Sequence, residues 1–522
     1  MTGSTAENVL FVVLDTVRKD RLTPYGSDRD TSPGLAALAD DPATTTFEEA
    51  VAPAPWTLPV HASLFSGLYP SGHGADQENP YLEGVTTLAE TLSAAGYDTA
   101  CYSSNAWITP YTRLTDGFDD QDNFFQVMPG DLLSGPLARA WRALNDDERL
   151  RAVADKLVSL GNTAHEYLAG GEGSDSKTPA ALERTREFVA ESDGEGWFAF
   201  VNLMDAHLPY HPPEEYAERF APGVDSTTVC QNSKEYNCGG REIGEEEWAD
   251  IRGLYDAEIA HMDAELSRLF DWLRETGEWE ETTVVVCADH GELHGEHDLY
   301  GHEFCLYDPL VNVPLLVNGP GVAADPEETV ELLDLYHTVL DALGVEGGDP
   351  LSPGDEAVAL DTRRSLLSED YRAFPGAVDA ETPDGDPGLR AGGDYGFVEY
   401  ARPVVELKQL EEKASAAGVA LDEDSRFYAR MRAARGPAAK YVRVDRTPDE
   451  AFRLDGDPGE TTNRAAGDDD PALRRAERAL AAFEAASGGA WATVDDADVS
   501  DDAVDEFDAE TQERLRDLGY LE

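Results

Sequence analysis

The chain has 522 residues, more than one hydrophobic core usually holds, so we expect a large α/β domain with a smaller domain attached. Its 105 acidic residues against 40 basic ones give a net charge of −65. Such a polyanion repels nucleic acid and anionic membranes, which excludes both as expected partners. Only 7 of the basic residues are Lys and the other 33 are Arg, a bias that indicates a halophilic protein.

The amino-terminal residues predict a cytoplasmic protein without a membrane span. Residues 1–8 lack a basic n-region, and the apolar run Val9–Leu14 is too short for a signal peptide or a membrane helix. The five Cys residues show no metal-type clustering. Cys230 and Cys238 flank a polar loop, where either a disulfide or a reduced pair is consistent with the spacing, and we favour the reduced pair.

Strands and helices alternate along the first 345 residues. Asn8–Leu14 and Thr283–Ala288 are continuous apolar runs, typical of strands buried on both faces, and an acidic residue follows each. Phe198–Met204 predicts another strand, and Leu254–Leu273 has apolar residues at helical spacing. This alternation predicts a doubly wound mixed sheet flanked by helices over 6–345, in which ligands bind beyond the carboxyl ends of the strands.

Composition divides the rest of the chain. Residues 121–190 are predicted to be polar helices inserted into the first domain, and 346–395 is predicted to be a linker or loop region rich in Pro, Gly and Asp. Alternating runs and a helix at Pro471–Ala486 predict a small α+β domain over 396–487. Residues 488–522 are predicted to form an acidic tail that ends in a short helix.

Thr57 lies at the start of a predicted helix and has two interpretations. Pro59 is tolerated in a first helical turn, so Thr57 is expected at the N-cap. A hydroxyl there lies near free backbone N–H groups and the positive end of the helix dipole, which stabilise an anionic ester oxygen. A nucleophile and a simple helix cap therefore both fit this position.

Acidic residues and histidines indicate a metal site. Asp15 ends the first predicted strand, and Asp289 with His290 ends another. Oxygen and nitrogen ligands of this kind suit a divalent cation of intermediate hardness. The chain has 11 His in 522 residues, and a group of four falls within thirteen positions: His290, His294, His297 and His302. This concentration favours a functional site over a merely polar surface.

Several ordered motifs resemble one known family. The first strand ending in Asp15 is followed by Thr57-x-Pro-x-His61-Ala-Ser-Leu-x-Ser-Gly, Asp205-Ala-His207-x-Pro-Tyr and Asp289-His290-Gly-Glu, and later by Lys440-Tyr-Val-Arg. In order and spacing they resemble the sulfatase-like branch of the alkaline phosphatase superfamily. The resemblance implies that superfamily's α/β fold, with a small carboxyl-terminal α+β domain.

The sequence also departs from the true sulfatases. Their nucleophile is a Cys or Ser converted to formylglycine, whereas Thr57 is a secondary alcohol that cannot yield that aldehyde hydrate. The second acid after the first strand is Thr16, and the Arg of the nucleophile motif is His61. Ser104 and His302 stand where the family has substrate-binding Lys residues. Threonine nucleophiles are instead similar to those of phosphodiesterases and of phosphoglycerol or phosphoethanolamine transferases in the superfamily.

The resemblance implies a catalytic centre with one divalent metal ion. Asp15, Asp289, His290 and Thr57 would bind the ion, which could be Mn, Zn, Ca or Mg. Thr57 would attack the ester and His207 would protonate the leaving oxygen. A structural loop histidine is the alternative for His207. No second cluster of His and Asp ligands is evident in the sequence, which predicts one ion per chain.

An anionic ester is the expected substrate. His61, Asn105 and His302 would bind its non-bridging oxygens. We expect hydrolysis of a phosphate mono- or diester or of a phosphonate ester; a transferase of the phosphoglycerol or phosphoethanolamine type and a sulfatase acting without formylglycine are the alternatives. The intact nucleophile and ligand set disfavours an inactive binding protein. Five further residues are expected to have structural roles, in an ion pair or in helix packing and caps: Arg18, Asp20, Tyr255, Asp256 and Asp263.

We expect the stability of the protein to depend on molar salt. An excess of carboxylates repels itself until salt shortens the Debye length to about 3 Å near 1 M. Thermal unfolding in molar potassium chloride should therefore occur at a much higher temperature than in dilute buffer. Identical melting curves in the two solutions would contradict this expectation.

Overall fold

The computed structural model describes residues 6–124, 176–192, 194, 196–319, 321–371, 395–465 and 469–487. In chain order the strands are β1 (Asn8–Leu14), β2 (Thr44–Val51), β3 (Asp98–Ser103), β4 (Asp120–Asn123), β5 (Trp197–Leu203), β6 (Thr282–Cys287), β7 (Leu293–His294), β8 (Tyr300–Gly301), β9 (Asn312–Asn318), β10 (Thr329–Glu331), β11 (Gly396–Tyr400), β12 (Met431–Arg435), β13 (Lys440–Val444) and β14 (Glu450–Phe452).

The helices surround these strands. They are α1 (Pro33–Ala39), α2 (Thr57–Ser66), α3 (Pro70–His73), α4 (Leu88–Ala95), α5 (Thr178–Glu191), α6 (Glu214–Phe220), α7 (Ser233–Asn237), α8 (Glu245–Thr276), α9 (Asp308–Val311), α10 (Asp334–Ala342), α11 (Val404–Ala417) and α12 (Pro471–Ala486). Single 3-10 turns lie at Lys19–Arg21, Thr23–Tyr25, Trp279–Glu281, Glu296–Asp298, Thr362–Arg364 and Arg426–Tyr428.

A mixed eight-stranded sheet forms the centre of the larger domain. Its strand order is β10-β2-β9-β6-β1-β5-β3-β4. β9 is antiparallel to both of its neighbours, whereas the other pairings are parallel. β1 therefore lies between β6 and β5 in the interior of the sheet. The carboxyl ends of β1, β3, β5 and β6 meet at one edge.

The central strands form because their sequences are apolar on both faces. Every residue of β1, β5 and β6 is buried, which is typical of strands covered by helices on both sides. In register, Val9 lies opposite Phe198 on β5 and Thr283 on β6. The predicted doubly wound α/β architecture is confirmed.

The small carboxyl-terminal domain has an antiparallel sheet in the order β11-β12-β13-β14. Helix α12 packs on β12 and β13 through an apolar stripe that includes Leu480 and Phe483. The Phe483 ring stacks on Phe397 of β11, with ring centroids 4.5 Å apart. The predicted small α+β domain is therefore present.

The long helix α8 attaches the amino-terminal loops to the sheet. Tyr255 Oη donates to the Thr16 carbonyl and accepts from the Arg18 backbone N–H. Asp263 accepts the N–H groups of Gly34 and Leu35, the first turn of α1. Arg18 pairs with Asp20 at 2.8 Å, and Asp256 pairs with Arg29 at 2.7 Å. These are the structural roles that the sequence predicted.

Several predicted segments lie wholly or partly outside the described residues. The helical insertion is described only at its two ends, β4 and α5, and the linker only up to residue 371 and at 395. The acidic tail lies outside the described ranges. Cys230 and Cys238 are free, buried thiols, as favoured above. Within the described ranges, no helix combines the length and apolar composition that crossing a bilayer requires.

A buried ionic network joins the two sheets. Glu331 of β10 accepts from Tyr69 Oη and from the Phe397 N–H on β11. The neighbouring Asp334 accepts from Tyr371 Oη at 2.6 Å and pairs with Arg364. Burial and the proximity of Asp334 raise the pKa of Glu331 to about 8, although Arg364 opposes the shift. The Arg364 guanidinium is the cation that pairs with the buried Asp334.

Arg364→Met should destabilise the protein by about 3–5 kcal/mol, because it leaves the buried Asp334 carboxylate without its cation. The adjacent Arg363 is an internal control, since its side chain is 60% exposed and pairs with Asp361 at the surface. Arg363→Met should change stability by less than about 1 kcal/mol. Chemical unfolding in molar potassium chloride measures both values, and equal effects would contradict the assignment of the network.

Candidate functional site

Loops after four neighbouring strands carry the predicted site residues. Asp15 follows β1, Asn105 follows β3, His207 follows β5, and Asp289 with His290 follows β6. The strands run parallel, so these side chains reach the same edge of the sheet. The Asp15 N–H donates to the Leu203 carbonyl at 2.9 Å, which fixes the loop after β1 against the end of β5.

Asp15, Asp289 and His290 form a fully buried cluster. Each offers one ligand atom, and the three atoms lie within 4.8 Å of one another. His290 Nε2 lies 3.5 Å from Asp289 Oδ2 and 4.0 Å from Asp15 Oδ1. Neither carboxylate oxygen has a hydrogen-bond partner among the described residues. Buried anionic oxygens of this kind require a cation.

Hydrogen bonds orient the ligand atoms of this cluster. Asp15 Oδ2 accepts from Asn105 Nδ2 at 2.7 Å and from Asn202 Nδ2 at 3.2 Å. Asp289 Oδ1 accepts a hydrogen bond from the backbone N–H of the next residue, His290, at 2.9 Å. His290 Nδ1 donates to the Gly291 carbonyl at 3.0 Å, which leaves the Nε2 lone pair directed at the carboxylates. The other oxygen of each carboxylate is therefore free for a ligand.

The electrostatics of the cluster suit a divalent cation. Burial raises the pKa of Asp289 well above its usual range, and the nearby Asp15 raises it further. Burial lowers the pKa of His290 well below its usual range, so the imidazole is a neutral ligand. Two carboxylates and one imidazole are ligands that Mn, Zn, Ca and Mg accept to different degrees. These residues therefore fit a divalent metal ion without selecting one.

Thr57 directs its hydroxyl to this cluster. Its Oγ1 lies 3.4 Å from His290 Nε2 and 3.3 Å from Asn105 Nδ2. Thr57 is the first residue of α2, and the extended Trp56 occupies the N-cap. The expectation that Thr57 is the N-cap is therefore wrong. The hydroxyl contacts side chains from two other loops, which places it next to the candidate metal ligands.

His61 lies behind Thr57 and does not line the cleft. Its side chain is fully buried, and its Nδ1 donates to the Thr57 carbonyl at 2.9 Å. The ring packs edge-on against Phe65 and Phe200. Burial lowers the pKa of His61 to about 4, although the hydrogen bond to Thr57 opposes the shift. A neutral imidazole in this position supports the first turn of α2.

A cleft of about 390 Å³ opens over Thr57. His207 and His302 line it, with their ring centroids 5.3 Å apart. His207 Nδ1 donates to the Leu208 carbonyl at 2.6 Å, so its Nε2 is the atom free for proton transfer. Burial lowers the pKa of His302, but Glu292 and Glu303 outweigh burial and raise it to about 9. His302 is thus a cation at neutral pH.

Other cleft residues were not identified from the sequence. Lys234 of α7 and Trp107 line the cleft, and Asn202 at the end of β5 supports Asp15. Glu292 also lines the cleft, and the sequence could have indicated it, because it is the last residue of the Asp-His-Gly-Glu motif. The sequence around Lys234 is polar and has no periodicity, so no local pattern distinguishes this residue from a solvated lysine.

Two of the four clustered histidines have structural positions outside the cleft. His294 Nε2 lies 3.0 Å from Tyr210 Oη, and its ring packs against Tyr255. His297 stacks on Tyr307 with ring centroids 3.6 Å apart. Of the four histidines, only His302 lines the cleft, and His290 belongs to the buried cluster with Asp15 and Asp289.

A second group of potential ligands is present, contrary to the sequence-based expectation. Asp205, Glu258 and His261 each offer an atom within 4.8 Å of the others. His261 Nδ1 lies 3.0 Å from Asp205 Oδ2, which also accepts from Ser176 Oγ at 2.7 Å. The sequence motifs did not reveal this group because its members are far apart in the chain. Asp205 lies in a loop, and Glu258 lies 53 residues later on a helix.

Comparison with known proteins agrees with this geometry. The family model described as "Sulfatase" matches residues 7–345, which include Thr57 and the candidate metal ligands. This chain belongs to the sulfatase family. It is a hydrolase that acts on sulfuric or phosphoric ester bonds.

Family relatives cover most of the chain. The choline-sulfatase of Rhizobium meliloti is 25% identical, over 98% of this chain and 92% of its own length. The multifunctional alkaline phosphatase superfamily protein PehA of Trinickia caryophylli is 26% identical, over 88% of this chain and 91% of its own. The phosphonate monoester hydrolase structure from Agrobacterium radiobacter superposes with a TM-score of 0.59 at 20% identity, over 92% of this chain and 96% of that one.

We expect this sulfatase-family chain to bind one tight divalent ion. Asp289→Asn should abolish tight binding, because it removes a charged ligand from the Asp15, Asp289 and His290 cluster. Asp205→Asn is the matched control, since it alters the second group in the same way. Elemental analysis after desalting in molar potassium chloride gives the stoichiometry. Two tight ions, or loss of the ion in the Asp205 variant alone, would contradict the assignment.

Proposed function

We propose that this protein hydrolyses a phosphate mono- or diester, or a phosphonate ester, through a covalent intermediate on Thr57. The observation that carries the proposal is the position of Thr57 Oγ1, 3.4 Å from His290 Nε2 and at the floor of the cleft. A hydroxyl whose role was only to cap a helix would bond to its own backbone, whereas this one lies beside His290 Nε2 and Asn105 Nδ2, side chains of two other loops.

The residues of the cluster prepare Thr57 for attack. Asp15, Asp289 and His290 would hold one divalent cation, with Thr57 completing the set. When bound, the cation acts as a Lewis acid that lowers the pKa of a neighbouring hydroxyl and neutralises charge on the ester. Asn105 Nδ2 donates toward Thr57 Oγ1 and so favours the deprotonated oxygen. Thr57 Oγ1 then forms a bond to phosphorus as the bond to the leaving oxygen breaks.

His207 is the proposed proton donor. Its Nδ1 is committed to the Leu208 carbonyl, so the protonated ring presents the Nε2–H to the cleft. The leaving oxygen takes this proton and departs as an alcohol. Nε2 then accepts a proton from water as the water oxygen bonds to phosphorus and the bond between phosphorus and Thr57 Oγ1 breaks. This step restores the protonated His207 and the deprotonated Thr57 Oγ1.

Charged and polar groups in the cleft bind the ester oxygens. His302 is cationic and its ring centroid lies 4.5 Å from that of His290, so its charge acts beside the reaction centre. For Asn105 we propose an indirect role, because its amide group donates to Asp15 Oδ2 and to Thr57 Oγ1. For His61 we propose a positioning role in place of direct contact, because it holds the Thr57 carbonyl from behind. These groups supply the local cationic character that an acidic protein needs to bind an anion.

Sulfate-ester hydrolysis is a second candidate. The similarity to a choline-sulfatase over 98% of this chain favours it. Thr57 disfavours it, because an alkoxide lacks the aldehyde hydrate through which sulfatases eliminate sulfate. A transferase would differ from a hydrolase in requiring an acceptor alcohol for product formation, so turnover in buffer alone separates these two reactions.

Thr57→Ala should remove nearly all turnover of an aryl phosphodiester, by several orders of magnitude in kcat, because the nucleophile is lost. The fold should persist, since Thr57 contributes no cap. Thr57→Ser should retain a substantial part of the activity, because a hydroxyl remains at the same place. Steady-state kinetics at high salt with matched aryl phosphodiester and aryl sulfate substrates measure both effects. Parent-like activity in Thr57→Ala, or faster turnover of the aryl sulfate than of the aryl phosphodiester, would contradict the proposal.

A further inference from the structure

Lys234 is a buried cation in the wall of the cleft. It lines the cleft together with Thr57 and His302, and its side chain is 16% exposed. Nζ donates to Glu303 Oε1 at 2.5 Å. Burial lowers the pKa of Lys234, but Glu303 and Glu406 outweigh burial and raise the pKa above its ordinary value. The ammonium is therefore charged, and the hydrolytic mechanism above makes no use of it.

Helix α7 holds Lys234 in a fixed place. Asn237 Nδ2 donates to the Tyr300 carbonyl at 2.8 Å, and Asn237 Oδ1 accepts the Tyr300 N–H at 2.9 Å. Gly301 has φ +94°, and a Cβ on it would lie 2.8 Å from Glu303 Oε2 and 3.0 Å from Ser233 Cβ. The helix can approach β8 this closely because residue 301 is glycine. The geometry of the ion pair is thus set by tertiary contacts.

The charges of the cleft wall are organised in pairs. Lys234 pairs with Glu303, and His302 Nδ1 lies 3.4 Å from Glu292 Oε1. Glu406, on α11 of the carboxyl-terminal part, adds a further carboxyl group to the cleft. Each of the two cations is therefore balanced by a carboxylate. The two cations therefore attract one negatively charged oxygen, but little positive charge is left to neutralise a second negative charge.

We propose that Lys234 and Glu303 form a charge-selective pair that accepts an ester group with one negative charge and disfavours one with two. The inference rests on the proposed hydrolase function and narrows its substrate class. Lys234 has N–H donors beyond the one that Glu303 uses, and these bind an ester oxygen. The Glu303 carboxylate repels a second negative charge at the same place.

The substrate class follows from this charge count. Phosphodiesters, phosphonate monoesters and sulfate monoesters carry one negative charge at neutral pH. Phosphate monoesters lose a second proton with a pKa of about 6 and carry close to two charges above it. The pair formed by Lys234 and Glu303 therefore favours the first three classes over phosphate monoesters.

Glu303→Gln tests the selectivity with little change in shape. Binding of phenyl methylphosphonate and phenyl phosphate is measured by calorimetry at pH 8 in molar potassium chloride, on the Thr57→Ala full-length chain with saturating Mn²⁺. Removal of the carboxylate should raise the affinity for phenyl phosphate, relative to phenyl methylphosphonate, on the order of tenfold, because a buried pair is screened little by salt. Lys234→Gln should weaken binding of both probes on the order of tenfold.

Glu235→Gln and Lys413→Gln are the matched controls. Glu235 lies on the same helix as Lys234 and pairs with Lys413 at 3.2 Å, and neither residue lines the cleft. Both control variants should leave the ratio of affinities unchanged. If a single cleft variant does not fold, the double change at Lys234 and Glu303 retains the net charge and should abolish the discrimination between the probes.

The outcomes separate the two proposals. A ratio of affinities in Glu303→Gln within twofold of the parent ratio, or unchanged binding in Lys234→Gln, overturns the charge-selective pair. Failure of the proposed hydrolase instead shows as absent phosphodiester turnover by the chain with Thr57 intact. The binding comparison does not require turnover, so its result stands in either case.

Discussion

The burial of two carboxylates side by side is the constraint on which the active site depends. Asp15 and Asp289 end neighbouring strands, both are fully buried, and one oxygen of each lacks a hydrogen-bond partner in the described part of the chain. Burial of unpaired charges is strongly unfavourable, so a divalent cation between them would stabilise the folded site. The amides of Asn105 and Asn202 stabilise the other oxygen of Asp15, which leaves the metal-facing oxygens correctly oriented and next to Thr57.

The need to compensate buried negative charge also applies to the rest of the chain, whose net charge is −65. Away from the candidate metal ligands, buried Asp334 pairs with Arg364 and buried Glu303 pairs with Lys234. Surface carboxylates depend on salt for screening, whereas these interior pairs are insulated from it. In our proposal, an anionic substrate is bound by a few fixed cations in the cleft and not by the general field of the protein, which would repel it.

The sequence predicted those features that leave a local pattern. Continuous apolar runs located β1, β5 and β6 to within one residue at each end, because strands buried on both faces need no alternation. Ordered motifs brought Asp15, Thr57, Asp289 and His290 together. Lys234 could not be predicted, because its approach to Glu303, 69 residues away, depends on the contact of α7 with β8. The cap interpretation of Thr57 failed for a related reason, since contacts with distant loops determine where its hydroxyl points.

The most direct test of the account is whether a phosphoryl group becomes attached to Thr57 during turnover. The metal-loaded protein is mixed at high salt with a slowly released phosphodiester or phosphonate substrate, quenched in acid, digested and analysed by mass spectrometry. The account predicts an adduct on the peptide that contains Trp56, Thr57 and Leu58, and its absence in Thr57→Ala. Full turnover with no adduct on that peptide, or with an adduct on another residue, would contradict the assignment of Thr57 as the nucleophile.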